Sequence, residues 1–357
     1  MPTLASLGWS PFFETAFAPL RDLGFIPARV AVEHRRAFLL YTEAGEVAGE
    51  VPGKLFHEAD SAADLPKVGD WVAVSLLPGE PKAIIRRVLP RHTKFSRKAA
   101  GEQDVEQVIA ANIDRLFIVQ GLDHDFNLRR LERYLVMAWE GGADPVIVLN
   151  KSDLHGNTAE YMAAVEEIAP GVQVLALSAL TGAGLEELGR MPLEGETVAF
   201  IGSSGAGKST LINRLLGEEH FKTAEVRADD SRGRHTTTHR ELIFLPGGGL
   251  VIDTPGLREL QLWYTEEGLG ETFPDIEKLA ENCHFTDCTH SHETRCAVLE
   301  ALRDGAFSRE RYESYQKLQK EISSLEARKD RRAQREKQKK ISLASREFFR
   351  LADKRKG

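Results

Sequence analysis

The chain contains 357 residues, more than a single domain usually holds, so two or three compact units are expected. Its 42% hydrophobic and 28% charged residues provide material for hydrophobic cores and exclude a globally disordered protein. The formal net charge of −7 disfavours nucleic acid as a partner of the chain as a whole. The charge is unevenly distributed, however, because residues 328–357 contain 13 Lys and Arg against 4 Asp and Glu, and this basic tail is suited to phosphates.

The sequence has neither a predicted membrane span nor a predicted secretory signal. No apolar run reaches the roughly 20 residues that cross a bilayer. The first 20 residues lack a basic start, and Pro11 and Glu14 interrupt their aromatic patch. We therefore expect a soluble, cytoplasmic protein that does not contact a membrane.

Short strands separated by turns are predicted between residues 29 and 88. Five such strands suit a small barrel, and an OB-fold is the preferred prediction, with an SH3-like or other small barrel as the alternative. The predicted strands are Arg29–Glu33, Phe38–Thr42, Val47–Val51, Asp70–Ser75 and Lys82–Val88.

From residue 115 the pattern changes to apolar strands that alternate with amphipathic helices. This alternation indicates a parallel sheet covered on both faces. The predicted strands are Leu116–Val119, Val146–Leu149, Val172–Leu177 and Val198–Ile201, with a helix at Leu128–Trp139 between the first two. No comparable strand recurs after Pro255 and Gly256.

A third unit begins near Glu271 with a cysteine cluster and continues as helix. One mostly apolar helix face is predicted there from spacings of three and four between Tyr312, Tyr315, Gln319, Ile322 and Leu325. We therefore predict three domains, at residues 1–98, 99–270 and 271–357: an all-β barrel with an N-terminal extension, an α/β domain, and a small, mainly helical domain with a basic tail.

The strongest motif is a phosphate-binding loop between the strand ending at Ile201 and the helix beginning near Leu211. In such loops glycines let the backbone wrap phosphate, and the helix N-terminus supplies N–H groups. Lys208 is expected to reach the β- and γ-phosphates and to act in catalysis, and Ser209 to bind Mg²⁺. The predicted nucleotide contacts are Gly202, Ser203, Ser204, Gly205, Ala206, Gly207, Lys208, Ser209 and Thr210.

Guanine rather than adenine is predicted from a polar tetrapeptide directly after the strand Val146–Leu149. Its members are Asn150, Lys151, Ser152 and Asp153. The carboxylate of Asp153 can accept hydrogen bonds from the two neighbouring donors of guanine, which adenine does not present. Lys151 can lay its stem over the base, and Asn150 can tie this loop to the phosphate loop. An ordinary polar turn is the alternative for the tetrapeptide alone.

Two further elements complete the predicted nucleotide site. Ser178 and Ala179 follow the strand Val172–Leu177, where a backbone N–H can meet the guanine O6. Asp253 is expected to hold Mg²⁺ through water, and the Gly256 N–H to sense the γ-phosphate. One threonine among Thr236, Thr237 and Thr238 should complete the Mg²⁺ shell, in a polar segment able to close over the nucleotide.

The motifs occur in a permuted order, because the base-binding elements precede the phosphate loop. A doubly wound sheet tolerates this rearrangement, since its ligand site is assembled from loops at the strand ends. The barrel, the permuted GTPase motifs and the cysteine-histidine segment together resemble the bacterial small-ribosomal-subunit-dependent GTPase A family over nearly the whole chain. The resemblance implies an N-terminal OB-fold, GTP hydrolysis to GDP and phosphate stimulated by the small ribosomal subunit, binding to its rRNA and a role in late subunit maturation; we expect a monomer.

A structural zinc site is predicted from the three cysteines of the chain. An odd number of cysteines in one short stretch argues against a disulfide framework, and three thiolates with an imidazole suit a closed tetrahedral Zn²⁺ site. His284 and His292 compete with His290 for the fourth position, and the resemblance selects His290. The predicted ligands are Cys283, Cys288, His290 and Cys296.

The sequence leaves more than one function class open. The alternative to a GTPase switch is an RNA-binding assembly module whose nucleotide site is structural. Intact Lys208, Ser209 and Asp253 favour the enzyme, and Asp153 disfavours an ATPase or small-molecule kinase. Leu257 follows Gly256 and cannot orient water, so His235, which both chemistry and the resemblance suggest, is the predicted catalytic residue. Contact with rRNA or solvent is the alternative for His235.

Overall fold

The computed structural model describes residues 2–34, 37–59, 61–98, 106–218, 240–253 and 266–328. Within this part of the chain, eleven strands join into one continuous sheet that begins in an N-terminal barrel and ends in a parallel α/β unit. No helix among the described residues combines the length and the apolar character needed to cross a membrane. His235, Thr236, Thr237, Thr238 and Gly256 lie outside the described residues.

The N-terminal extension forms a helix, α1 (Pro11–Arg21), that the sequence did not lead us to predict. Pro11 occupies the first helical turn, where its missing N–H costs no hydrogen bond. The proline that interrupts the aromatic patch in the sequence therefore begins the helix. Phe13, Phe17 and Leu20 form its buried face. The extension covers the barrel, because the ring centroids of Trp9 and Trp71 lie 4.7 Å apart.

The five predicted barrel strands are confirmed, and their pairing identifies an OB-type barrel. The pairing order is β1–β2–β3–β5–β4, and β4 returns to β1 to close the barrel. β3 and β5 run parallel, and a helix lies between β3 and β4, a Greek-key arrangement that sequence alone could not separate from an SH3-like barrel. The elements are β1 (Ile26–His34), β2 (Ala37–Thr42), β3 (Gly45–Glu50), α2 (Gly53–Glu58), β4 (Trp71–Leu76) and β5 (Lys82–Val88).

Arg29 on β1 fastens the barrel to its neighbours. Its side chain is buried and donates hydrogen bonds to the backbone carbonyls of Leu7, Gly69 and Asn112, which belong to the extension, the barrel and the α/β unit. Burial lowers the pKa of this guanidinium to about 10, so it remains charged at neutral pH. One buried cation therefore satisfies three carbonyls from three parts of the chain.

A hairpin connects the barrel to the α/β unit and was not predicted from the sequence. Its strands, β6 (Lys94–Lys98) and β7 (Glu106–Ala111), pair antiparallel as a separate two-stranded sheet. The ring of Phe95 packs against Gly141, where an added Cβ would lie 2.6 Å from the ring. The hairpin therefore lies directly on a helix of the α/β unit.

The parallel sheet is confirmed, with strand order β10–β9–β8–β11–β13–β12. β12 is antiparallel, was not predicted, and joins the sheet to β1 through the pair Val32 and Glu241. The strands are β8 (Arg115–Gly121), β9 (Asp144–Asn150), β10 (Gln173–Ala176), β11 (Thr197–Ile201), β12 (Glu241–Phe244) and β13 (Leu250–Asp253). The helices are α3 (Leu128–Gly141), α4 (Ala159–Ile168), α5 (Leu185–Arg190) and α6 (Lys208–Leu216).

The C-terminal unit is mainly helical, as predicted. It contains α7 (Glu266–Thr272), α8 (Pro274–Ala280), α9 (Ala297–Arg303) and a helix, α10, at residues 309–328. Tyr315 and Ile322 from the predicted apolar face are buried, together with Leu318. The basic tail beyond residue 328 lies outside the described residues.

A buried charge cluster attaches α10 to the α/β unit. The guanidinium of Arg311 lies 3.1 Å from the Glu132 carboxylate on α3 and 2.7 Å from the Asp275 carboxylate on α8. Burial would raise the pKa of Asp275, but the hydrogen bond and the charge of Arg311, together with backbone hydrogen bonds at the start of α8, lower it. The C-terminal unit is thereby tied to the helix that follows β8.

Candidate functional site

The predicted phosphate loop connects β11 to α6, in the strand-loop-helix setting that the motif requires. Gly202 has φ of 146°, and an added Cβ would lie 2.1 Å from the carbonyl oxygen of Val119 on β8. Gly207 has φ of 99°, and its added Cβ would meet the amide nitrogen of Asn150 at 2.1 Å. Both positions therefore require glycine, because the loop approaches neighbouring chain too closely for a side chain.

The cation of the loop, Lys208, folds back over the loop itself. Its Nζ donates to the carbonyl oxygens of Gly202 at 2.8 Å and Ser203 at 2.5 Å. Lys208 is the first residue of α6, and Ser209 and Thr210 follow in the first helical turn. The N-terminus of α6 and the Lys208 ammonium thus both lie at the phosphate loop, an arrangement suited to phosphate oxygens.

Asn150 connects the base-binding loop to the phosphate loop. Its Nδ2 donates to the carbonyl of Ala206 at 2.8 Å, and its Oδ1 accepts the Ala179 N–H at 2.9 Å. One buried amide therefore fixes three predicted nucleotide elements that lie far apart in sequence. Arg214 on α6 adds a third contact by donating to the Ala179 carbonyl at 3.2 Å.

The Asp153 carboxylate lies at the carboxyl edge of the sheet, where the β9 and β10 loops meet. It accepts a hydrogen bond from the Ser178 hydroxyl, which orients the carboxylate. The Ser152 N–H donates to the Leu177 carbonyl at 3.1 Å and holds the loop against the end of β10. The oriented Asp153 carboxylate supplies acceptors suited to the two neighbouring donors of guanine.

Asp253 lies at the same edge of the sheet as the phosphate loop. It ends β13, which runs parallel to β11 with Ala199 opposite Ile252. Because parallel neighbours present their carboxyl ends together, the Asp253 backbone follows directly beside the start of the phosphate loop. This placement is compatible with a role beside a Mg²⁺ ion bound between the phosphate loop and β13.

One part of this edge was missed by sequence reasoning. The loop between β8 and α3 carries Asp123, whose Oδ2 lies 2.6 Å from the Lys151 Nζ. It also carries Asp125, whose carboxylate accepts the hydroxyl of Ser203 in the phosphate loop. These carboxylates belong to no motif, and their position after a buried strand at the ligand edge was the only signal available in the sequence.

The cysteine cluster assembles into a compact centre with four potential ligands. One ligand atom from each of four residues lies within 4.8 Å of the other three, and the four residues are Cys283, Cys288, His290 and Cys296. The His290 Nδ1 faces the thiols, 3.4 Å from the Cys296 Sγ and 3.5 Å from the Cys283 Sγ. His284 and His292 are not members of this group. The donor set fits a metal ion that prefers thiolate and imidazole.

Backbone contacts position the centre and influence its thiols. His290 and Arg295 have left-handed φ of 54° and 64°, and the His290 carbonyl accepts hydrogen bonds from the Tyr312 hydroxyl and from Gln316 on α10. Burial raises the pKa of Cys296 to about 12. Burial would raise the pKa of Cys283, but backbone N–H groups at the start of α9, together with hydrogen bonds from the Cys296 and Cys288 thiols, lower it.

Comparisons with known proteins agree with this geometry. The sequence profile described as RsgA GTPase matches residues 88–263, and that of a 50S ribosome-binding GTPase matches residues 197–333. A protein of Opitutus terrae named small ribosomal subunit biogenesis GTPase RsgA is 51% identical over 95% of this chain and 96% of its own length. The chain belongs to the RsgA GTPase family. A relative from Methanosarcina acetivorans with the same name is 44% identical over 88% of this chain and 84% of its own length.

Solved structures place this RsgA-family chain in the same fold. The crystal structure of YjeQ from Thermotoga maritima superposes with a TM-score of 0.62 at 26% identity, covering 84% of this chain and 98% of that one. YloQ, described as a circularly permuted GTPase, gives a TM-score of 0.61 at 24% identity over 84% of this chain and 96% of its own, and supports the fold alone. The protein is therefore a P-loop GTP hydrolase with circularly permuted motifs, as predicted.

Proposed function

We propose that this GTPase binds the small ribosomal subunit and its rRNA, assists late maturation of the subunit, and is stimulated by it to hydrolyse GTP to GDP and phosphate. The observation that carries the proposal is the meeting of base-binding and phosphate-binding loops at one sheet edge through Asn150. The relatives' names, which refer to small-subunit biogenesis, support the choice of partner.

Each predicted residue then has a definite part in nucleotide binding. Asp153 accepts the guanine donors, Lys151 covers the base, and a backbone N–H of the loop that carries Ser178 and Ala179 meets the guanine O6. Lys208 neutralises charge on the β- and γ-phosphates, while Ser209 and Asp253 hold Mg²⁺, which supplies further charge neutralisation when bound. The Gly256 N–H senses the γ-phosphate. The remaining phosphate-loop contacts are Gly202, Ser203, Ser204, Gly205, Ala206, Gly207 and Thr210.

The C-terminal centre is proposed to hold one structural Zn²⁺. Three thiolates and one imidazole fill four tetrahedral positions, which leaves no open position for a reacting group. Its role is then to fold the C-terminal unit. We propose three domains, at residues 1–98, 99–270 and 271–357. We further propose that the protein is monomeric and cytoplasmic.

His235 is proposed to orient the attacking water. In Ras-type switches a Gln after the Asp-x-x-Gly motif does this, whereas here Leu257 follows Gly256. We expect His235→Ala to lower subunit-stimulated GTP turnover by about one to two orders of magnitude, because general acid-base groups contribute at least that much. The measurement is phosphate release with and without purified small ribosomal subunits.

Binding measurements make the His235 experiment specific. GTP affinity and subunit affinity of His235→Ala should match wild type, since the imidazole acts on water rather than on either partner. Undiminished stimulation in the variant would remove His235 from the mechanism. A wild-type enzyme whose turnover is indifferent to small subunits would instead contradict the proposed function and favour an RNA-binding module with a structural nucleotide site.

The basic tail is proposed to supply electrostatic attraction to rRNA, together with the barrel surface. Truncation after Arg328 leaves Leu325 and the buried face of α10 in place. We expect it to weaken subunit binding and to flatten the dependence of log Kd on log salt, because fewer counterions are released. A tail of identical composition in shuffled order should restore the slope. A truncated protein with the wild-type slope would show that the tail does not contact phosphates.

A further inference from the structure

The loop between β8 and α3, residues 122–127, lies across both halves of the nucleotide site. Asp123 pairs with Lys151 of the base-binding loop, and Asp125 accepts the hydroxyl of Ser203 in the phosphate loop. The Leu122 carbonyl also contacts the Nε2 of His155, just beyond the base-binding loop. A segment outside every nucleotide motif therefore connects the two loops that carry them.

Lys151 needs an external anchor to present its stem to a base. A lysine side chain has four rotatable carbon–carbon bonds, so an unrestrained lysine would occupy many rotamers. Here its backbone is left-handed, with φ of 65°, and its Nζ is held 2.6 Å from the Asp123 Oδ2. The Lys151 stem lies beside Gly121, where an added Cβ would be 3.5 Å from the Lys151 Cδ, which is van der Waals distance. Both ends of the side chain are thus fixed.

Asp123 is itself a rigid anchor. Its Oδ1 accepts the Asp125 N–H at 3.0 Å, so each carboxylate oxygen has a partner. Asp125 is held in turn by the Gln120 amide on its carbonyl at 2.5 Å and by Arg130, 2.8 Å from its carboxylate. Burial would raise the pKa of Asp123, but Lys151 and the Asp125 N–H lower it, so the carboxylate is charged at neutral pH.

We propose that Asp123 is a positioning residue for guanine nucleotides, which holds the Lys151 stem extended as the surface on which the base lies. The proposal rests on the guanine site of the proposed function and adds to it a residue that acts only through Lys151. Since GDP and GTP share the base, Asp123 should affect both nucleotides equally. A preorganised stem loses little rotamer freedom on binding, so its loss should appear mainly as faster dissociation.

A double-mutant cycle on GDP affinity, measured by isothermal titration calorimetry, tests this role. Asp123→Asn keeps the shape of the side chain and removes its charge, and Lys151→Met keeps an unbranched stem without the ammonium. We expect Asp123→Asn to weaken GDP and GTP alike by about threefold to tenfold, the range for immobilising one flexible side chain. In the Lys151→Met background it should cause no further loss. Asp123→Glu, which keeps the charge, should lose less than Asp123→Asn.

Glu186→Gln is the matched control. It removes a carboxylate from an exposed ion pair with Arg190 in the same unit, and its GDP affinity should equal that of wild type. Unchanged GDP affinity in Asp123→Asn, or an equal loss with and without Lys151, would overturn the positioning role while leaving the guanine site intact. Failure of the wild-type protein to bind GDP would overturn the proposed function and the positioning role together.

Discussion

Asp153→Asn is expected to lose GTP affinity and to gain affinity for xanthosine triphosphate. The amide replaces one carboxylate acceptor by a donor, which faces a donor of guanine but a carbonyl of xanthine. Each mispaired polar group should cost about 1–3 kcal/mol, or roughly 5-fold to 150-fold in Kd. Competition between the two nucleotides, measured by calorimetry on both proteins, gives the change in preference directly.

Asp144 offers a control on the same strand. It begins β9, at the end opposite Asp153, and is exposed. Asp144→Asn makes the same chemical change away from the ligand edge, so its GTP affinity should stay at the wild-type value. If Asp153→Asn also binds GTP as wild type does, Asp153 is not the base-recognition residue, and the preference for guanine must have another source.

Cys288→Ser is expected to release the metal and unfold the C-terminal unit. Zinc binding contributes about 10–16 kcal/mol to folding of zinc-finger peptides at neutral pH, and a hydroxyl is a poor substitute for thiolate. Elemental analysis of purified wild-type protein should find one zinc per chain, and the variant should contain less. Limited proteolysis should then cut the variant within residues 271–328, which stay protected in wild type.

GTP binding should largely survive the loss of the metal. The parallel sheet has two cores, and the one that includes Leu211 of the phosphate-loop helix takes no buried residue from the described part of the C-terminal unit. The C-terminal unit packs against the other core of the sheet. His290→Ala should reproduce the Cys288→Ser result, whereas His284→Ala and His292→Ala should retain zinc because those rings are not part of the four-residue centre. Wild-type protein without stoichiometric zinc would refute the zinc assignment.

The loop and helix that follow β8 contact both the nucleotide loops and the C-terminal unit. The helix that follows β8, α3, begins after the loop that touches Lys151 and Ser203 and carries Glu132, which pairs with Arg311 of α10. The nucleotide loops and the C-terminal unit therefore contact opposite parts of the same short segment. Separating the buried Glu132 from Arg311 would leave each with fewer compensating charges, only Arg129 and Asp275 remaining as their ion-pair partners among the described residues, so this connection is costly to separate.

The sequence by itself determined the elements whose pattern lies within one run of neighbouring residues. The phosphate loop between Ile201 and Leu211, the strand before Asn150 and the five barrel strands each depend on neighbouring residues, and periodicity and glycine spacing suffice to identify them. The candidate nucleotide and metal residues were likewise predicted from residue type and spacing. The resemblance extended these motifs to the whole chain.

Only the tertiary structure decided the features that depend on strand pairing and on contacts between distant residues. The parallel pairing of β3 with β5 separated the OB-type barrel from an SH3-like one. Residue spacing alone left three histidines as candidates, and the structure places His290 with the thiols, as the resemblance implied. β12 is a four-residue strand without a distinct pattern, so its partner alone defines it. Asp123 became a candidate site residue only because the structure pairs it with Lys151, 28 positions away in the sequence. Such contacts arise from how the chain closes on itself, and no local periodicity encodes them.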